Sequence, residues 1–109
     1  MAVTHLGMAT PANTTPVQVL AETIAFDYFV SVSCANKVMG DVRVSVFSKA
    51  LLDSENEYLY FVKSQSVSGN STFETKKIHL PDDHALYVQT ERGDSISFAV
   101  TGLKTDRIV

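Results

Sequence analysis

The fold of this chain is decided by the stretch Tyr28-Phe29-Val30-Ser31-Val32-Ser33-Cys34, in which every second side chain is apolar or aromatic. The same alternation returns in residues 42–46 and 96–100, where Ser, Arg or Ala occupies the intervening positions. Successive side chains of a β-strand point to opposite faces of the sheet, so a period of two collects the apolar groups on one face. The pattern predicts strands that are each buried on one face.

Seven strands are predicted in all, at residues 17–24, 27–35, 42–48, 57–62, 72–80, 85–90 and 95–103. The first of them is also compatible with a short helical turn. Short strands with a turn about every ten residues are typical of a β-sandwich or a jelly roll. The predicted fold class is therefore all-β, an antiparallel, jelly-roll-like β-sandwich with an extended N-terminal arm.

Three local predictions refine this fold. Asn and Gly in residues 36–41 favour a tight hairpin between the strands on either side. The apolar and aromatic run at 57–62 lacks strict alternation, which predicts a strand covered on both faces. The apolar phase slips between Phe73 and Ile78, so a bulge is expected near Lys76.

The first 16 residues differ in composition from the rest of the chain. They contain four Thr residues and Asn13, together with Pro11 and Pro16. Proline fixes its backbone and donates no hydrogen bond, so this segment is a poor helix and at most an edge strand. We therefore predict an extended arm over residues 1–16 and a single β-sandwich domain over residues 17–109, a length that suits one compact core.

Charge and hydropathy disfavour two classes of partner. The net charge is −3, and the nine Lys and Arg residues are scattered instead of forming a stripe along one face. Direct nucleic-acid binding is therefore disfavoured, because it needs a clustered basic surface. The longest apolar runs are broken by Asp, Ser or Lys within a few positions, so no transmembrane span and no membrane partner are expected.

The candidate chemical groups do not form a recognisable catalytic or metal site. Cys34 is the single cysteine, and it falls on the apolar face of its strand, where we expect a small core residue. The pair His79 and His84, flanked by Asp82 and Asp83, lies around a predicted turn, and a structural zinc site would want four Cys or His ligands. No enzymatic activity, cofactor or metal is therefore expected.

Several short motifs resemble a group of small tailed-bacteriophage virion proteins. The N-terminal arm contains Leu-Gly-x-x-Thr-Pro-x-x-Thr-Thr at residues 6–15, and a Val-x-Val-x-x-x-Asn strand follows at residues 30–36. Val-Arg-Val stands at residues 42–44, and an aromatic strand follows the acidic loop at residues 55–60. Residues 93–102 match a closing Gly-Asp-x-Ile-x-Phe-x-Val-x-Gly strand. The chain departs from the family pattern at residues 80–84, and also at residues 36–41 through Lys37 and Met39.

This resemblance implies a non-enzymatic structural part of a virion, assembled in the host bacterial cytoplasm. It leaves open a capsid cement or decoration protein, which binds the major capsid protein, and a component of the tail or its appendages. Because proteins of this group are commonly threefold, the resemblance favours a homotrimer. An extended arm of 16 residues could reach about 50 Å, far enough to cross onto a neighbouring subunit.

Five residues are predicted to contact other proteins. Phe29 and Phe47 fall out of phase with the apolar faces of their own strands, which predicts exposed aromatic anchors unless both faces are covered within the monomer. The other three belong to the arm and its junction with the sandwich: Leu6, Thr10 and Val17.

Two other function classes stay open. A carbohydrate- or receptor-binding module would use aromatic and polar side chains, although the chain contains no Trp; the candidates are Tyr58, Tyr60, Tyr87, Asp82, Asp83 and His84. A small hydrolase or isomerase on a cupin-like barrel would need His79, Asp82 and His84 to converge on one ion.

Overall fold

The computed structural model describes residues 4–20, 26–50, 58–80 and 84–106. Nine strands lie within these ranges: β1 Thr4–Ala9, β2 Val17–Leu20, β3 Phe26–Asn36, β4 Val42–Ala50, β5 Tyr58–Val67, β6 Thr72–Glu74, β7 Ile78–Leu80, β8 His84–Thr90 and β9 Ile96–Asp106. β2 confirms the strand reading of residues 17–20, whereas residues 21–24 lie outside the described ranges. The described part of the chain contains no helix long and apolar enough to cross a membrane.

The strands form two antiparallel sheets. Sheet A has the order β1-β9-β3, with β6 and β7 both paired to the far edge of β3, and sheet B has the order β2-β8-β4-β5. The first strand pairs with the last, the second with the next to last, and so on inward to the pair β4 and β5. This nested pairing is the arrangement of a jelly roll, and the predicted all-β sandwich is confirmed.

The core lies between the two sheets and follows the predicted alternation. Val30, Val32 and Cys34 of β3 have no exposed surface, and their counterparts on β4 and β9 are equally buried. Full burial of such side chains stabilises the fold by roughly 1.5–3 kcal/mol each relative to exposure. The intervening residues of β3 point outward, so the period-two reading of the sequence is confirmed.

The predicted hairpin at residues 36–41 is wrong. β3 belongs to sheet A and β4 to sheet B, so this connection carries the chain across the sandwich. Residues 91–94 likewise link β8 of sheet B to β9 of sheet A. Asn and Gly favour a reversal of the backbone in either case, and their chemistry does not specify which sheet the next strand joins.

The sequence indicates irregular strands at residues 57–62 and 72–80. The explanation given for the first, a strand covered on both faces, is wrong. β5 is an edge strand, and Tyr60 remains 38% exposed, so it is not covered on both faces. Its broken alternation comes from shifts of register against β4 around Phe61 and Ser64. The bulge expected near Lys76 is confirmed, because residues 75–77 separate β6 from β7 while both strands pair with β3.

The described part of the predicted arm lies against the sandwich. β1 pairs with β9 along its length, and Leu6 packs against the core. Beyond β1, Pro11 is buried and its carbonyl accepts a hydrogen bond of 2.8 Å from the amide of Asp94. Residues 4–16 therefore contribute to the sandwich instead of extending away from it, while a domain boundary at residue 16 stays a prediction.

Candidate interaction surfaces

The residues first considered for chemistry occupy separate places. Cys34 is fully buried, and burial raises the pKa of its thiol to about 12, so the thiol is protonated at neutral pH. His79 lies on β7 of sheet A and His84 on β8 of sheet B, whereas Asp82 and Asp83 fall outside the described residues. Within the described ranges, no group of three or more His, Cys, Asp or Glu side chains could hold a metal ion.

The outer face of sheet A carries mostly small side chains along its centre. At one end, the ring of Phe29 stacks on His79, with ring centroids 4.7 Å apart and planes 8° apart. On β9, the half-buried Leu103 pairs with Phe29 at this end. The remaining outward positions between Phe29 and Asn36 and between Ile96 and Gly102 are half-buried and small: Ser31, Ser33, Ala35, Ser97, Ala99 and Thr101. We call this surface the sheet A face.

The N-terminal segment borders the sheet A face along the side of β9. Met8 pairs with Ala99 and is 72% exposed. The hydroxyl of Thr10 lies 3.2 Å from that of Ser97, within hydrogen-bond distance. The face therefore combines a smooth centre with an exposed methionine at one border and an aromatic pair at the other.

The five predicted interface residues do not form one surface. Thr10 and Phe29 lie at opposite borders of the sheet A face. Leu6 and Val17 are half-buried and pack against the core, so both contribute to the stability of the monomer. Whether any of them contacts another protein stays a prediction.

Phe47 is buried, which corrects the expectation that its ring is exposed. It points away from the core, as its phase indicates, yet it is only 1% exposed. Tyr60 of β5 and Tyr87 of β8 pair with it across the sheet, with ring centroids 5.1 Å and 5.7 Å from its own. Cross-strand neighbours bring these rings together, and such pairing cannot be read from β4 alone.

Sheet B carries a second outward surface beside this aromatic row. Nζ of Lys63 lies 5.1 Å from the centre of the Tyr60 ring, a cation–π distance. A polar cleft of about 340 Å³ adjoins it, lined by Thr14, Arg43, Ser45, Ser64, Gln89, Thr90 and Glu91. This cleft is not predicted from the sequence, although outward positions of β4 and β8 carry Arg43, Ser45 and Gln89.

The polar groups of the cleft already join separate segments of the chain. Oε1 of Glu91 accepts a hydrogen bond from the amide of Arg43, and Oγ of Ser45 accepts one from the amide of Ser64. Nε2 of Gln89 donates to the carbonyl of Thr14. The cleft is therefore held in shape by its own lining.

Comparison with known proteins identifies the fold and no family. No protein-family model and no curated protein matches the chain. Among solved structures, the chain is similar to PirA at 16% identity and a TM-score of 0.47, over 92% of this chain and 81% of that one. It is also similar to infectious bursal disease virus, Gx strain, at 10% identity and a TM-score of 0.50 over 93% of this chain.

A third similar structure contains the CBM22-1 and GH10 modules of Clostridium thermocellum endo-1,4-beta-D-xylanase 10B complexed with xylohexaose. It is 14% identical over 97% of this chain, with a TM-score of 0.47. The chain spans only 30% of the viral chain and 26% of the xylanase chain. At such identities these similarities are of fold alone.

Three residues of the short motifs in the sequence hold the backbone in place. A Cβ at Gly7 would lie 2.5 Å from the carbonyl oxygen of Val19, so Gly7 lets β1 approach β2 closely. Gly102 has a φ of 153°, and a Cβ there would overlap the carbonyl oxygen of Phe29. Asn36, the last residue of its motif, is 4% exposed and bonds three backbone groups. These motif positions thus specify the fold.

Proposed function

We propose that the protein is a non-enzymatic structural component of a phage particle, a decoration protein that binds the major capsid protein through the sheet A face. The observation that carries the proposal is this face of small, half-buried side chains bordered by Met8 and Phe29. Small side chains let another protein approach the sheet closely, and the apolar groups at its borders would be buried on contact. The jelly-roll fold and the motif resemblance support the same role.

The size of the face supports multivalent attachment. Four strands spaced about 4.8 Å apart, with about 20 Å of outward-facing length on β3, give a projected area of roughly 400 Å². Stable protein interfaces bury about 800 Å² on each partner, so a single copy would bind weakly. A symmetric homotrimer would present several such faces at once, and their attachments would reinforce one another.

The test compares two matched arginine substitutions on particles purified from a culture that makes the protein. Ser31 lies at the centre of the sheet A face, and Ser66 is exposed on β5 of sheet B. Quantitative mass spectrometry should recover the native protein and Ser66→Arg with the major capsid protein at one constant ratio. Ser31→Arg should be lost from the particles while remaining folded. Absence of the native protein from particles, or full occupancy by Ser31→Arg, would count against the proposal.

A carbohydrate- or receptor-binding module, such as a tail-appendage domain, is the second candidate. Tyr60 is 38% exposed beside the polar cleft, and sugars are commonly held by an aromatic ring together with hydrogen-bonding side chains. A glycan array separates the two roles. Binding that is lost in Tyr60→Ala and kept in Ser31→Arg would favour the sugar-binding role.

A further inference from the structure

The sandwich has an open groove along the side formed by β5, β6 and β7. β5 is the edge of sheet B, and β6 with β7 forms an edge of sheet A. Between them lies a groove of about 760 Å³, within the size range of ligand sites. Its lining is Tyr60, Phe61, Val62, Lys63, Gln65, Phe73, Glu74, Thr75, Lys76, Lys77 and Ile78.

The floor of the groove is apolar. Phe61, Val62 and Phe73 are half-buried and pack against the core, and Ile78 beneath them is 5% exposed. Val62 pairs with Val46, whereas Phe47 pairs with Tyr60, so Phe61 is an extra residue in β5. This bulge lets two consecutive side chains, Phe61 and Val62, reach the core side of the strand. Part of their apolar surface remains open to an incoming group.

The rim of the groove is positively charged. Lys63, Lys76 and Lys77 line it and are exposed, and Glu74 is the one carboxylate in the lining. The lining therefore carries a formal charge of +2 on a chain whose net charge is −3. An occupant with carboxylates around an apolar centre would complement both features.

Neither edge offers a continuous backbone ladder. Ser64 has a φ of 53°, a left-handed conformation that interrupts β5. On the other side, the amide of Thr75 donates to the carbonyl of Val32, and Oγ1 of Thr75 accepts from the amide of Val32, each at 2.9 Å. These bonds turn the backbone of Thr75 toward β3. Recognition in the groove therefore depends on side chains more than on β-strand addition.

We propose that this groove binds a short segment of a partner protein in which apolar side chains alternate with Asp or Glu. Residues 60–65 extend for about 17 Å, which suits an extended segment of five or six residues. Its apolar side chains would pack on Phe61, Val62 and Phe73, while its carboxylates would face the lysines of the rim. The inference rests on the groove itself and does not depend on a role in a virion.

The probe is a random heptapeptide library displayed on yeast and sorted against the biotinylated full chain. Selected peptides are then measured against two doubly charge-reversed variants, Lys76→Glu with Lys77→Glu in the groove, and Lys37→Glu with Arg92→Glu elsewhere. All four side chains are exposed, and both variants change the net charge by the same amount. The peptides should alternate apolar and acidic residues, and the groove variant should lose about tenfold in affinity relative to the control variant.

Amide chemical shifts locate the binding. Addition of a selected peptide should move the resonances of residues 60–65 and 73–78 before any others. Failure to enrich any peptide, enrichment of peptides without acidic residues, or equal affinity for the two variants would overturn the proposal. Binding of a fatty acid, with dodecanoate as the probe, without binding of any peptide would also overturn it.

Discussion

Asn36 joins three segments of the chain through one buried side chain. Its Nδ2 donates to the carbonyl of Gly40 at 2.8 Å and to that of Val67 at 2.9 Å, and its Oδ1 accepts from the amide of Val38 at 3.0 Å. These bonds hold the crossing from sheet A to sheet B against the end of β5. Asparagine suits the position because it combines two donors with an acceptor on a short side chain.

Asn36→Ala should lower the free energy of unfolding by about 2–4 kcal/mol, because it leaves buried backbone groups without partners. Urea denaturation followed by circular dichroism measures the change. Asn13→Ala is the matched control, since Asn13 is exposed and makes one local bond to the amide of Thr15. It should cost about 0.5 kcal/mol or less. Equal changes in the free energy of unfolding for the two substitutions would show that the hydrogen bonds of Asn36 do not stabilise the fold.

Cys34 makes stability depend on pH in the alkaline range. Its pKa rises from 9.0 to about 12 on folding, so the folded state retains a proton that the unfolded state releases. The contribution of this thiol to the free energy of unfolding is constant below pH 9. Between pH 9 and pH 12 the free energy of unfolding falls by up to about 1.4 kcal/mol per pH unit, because only the unfolded state releases the proton.

Cys34→Ala should therefore show a shallower loss of stability above pH 9 than the native chain, measured by urea denaturation at several pH values. The native thiol should also resist a thiol reagent such as DTNB at pH 8 until the protein unfolds. Rapid labelling of the folded protein, or identical pH slopes for the two chains, would contradict this account of Cys34.

At the scale of elements, β1 completes sheet A and closes the sandwich on one side. It pairs with β9, and the lack of a side chain at Gly7 lets it pass close to the backbone of β2. Removal of residues 1–16 would expose the edge of β9 and uncover the part of the core that Leu6 contacts. Such a deletion should therefore perturb folding, so point substitutions are better tests of interface function.

Gly7→Ala should destabilise the protein by about 1–3 kcal/mol, because the new methyl group would overlap the backbone of Val19 and force β1 and β2 apart. Thermal unfolding followed by circular dichroism measures the shift in Tm. Gly40→Ala is the control, since a Cβ there meets no atom within 4 Å. It should leave Tm nearly unchanged. A similar Tm for both variants would show that β1 tolerates a wider spacing.

At the scale of the whole molecule, the two sheets present different surfaces. The centre of the sheet A face is lined by small side chains, while sheet B carries a row of three aromatic rings, of which Phe47 is buried and Tyr60 is exposed, beside a polar cleft. The groove along β5, β6 and β7 adds a third surface with an apolar floor and a positive rim. The described residues therefore form three surfaces that differ in chemistry.

The proposed homotrimer predicts a native mass near three times 11.9 kDa by light scattering coupled to size exclusion. Ser31→Arg tests whether the sheet A face forms the subunit contact, and Ser66→Arg is its control. A trimer unaffected by either substitution would leave the sheet A face free for a capsid partner. A monomeric mass over the whole concentration range would contradict a trimer in solution.

Local periodicity determined much of the fold. The phase of residues along β3, β4 and β9 depends only on the alternation of side chains within each strand, so the sequence predicted which residues face the core. It also indicated that Phe29 and Phe47 point outward and that the strand at 72–80 contains a bulge. Each of these properties is encoded within about ten consecutive residues.

Only the tertiary structure decided how distant strands meet. Residues 36–41 have the composition of a hairpin, but pairing of β3 with β9 and of β4 with β8 places the two strands in different sheets. The ring of Phe47 packs against tyrosines on two other strands. The groove and the polar cleft are each lined by residues from segments that are far apart in the chain. A strand's own residues determine its faces, whereas its neighbours are determined by the free energy of packing the whole chain.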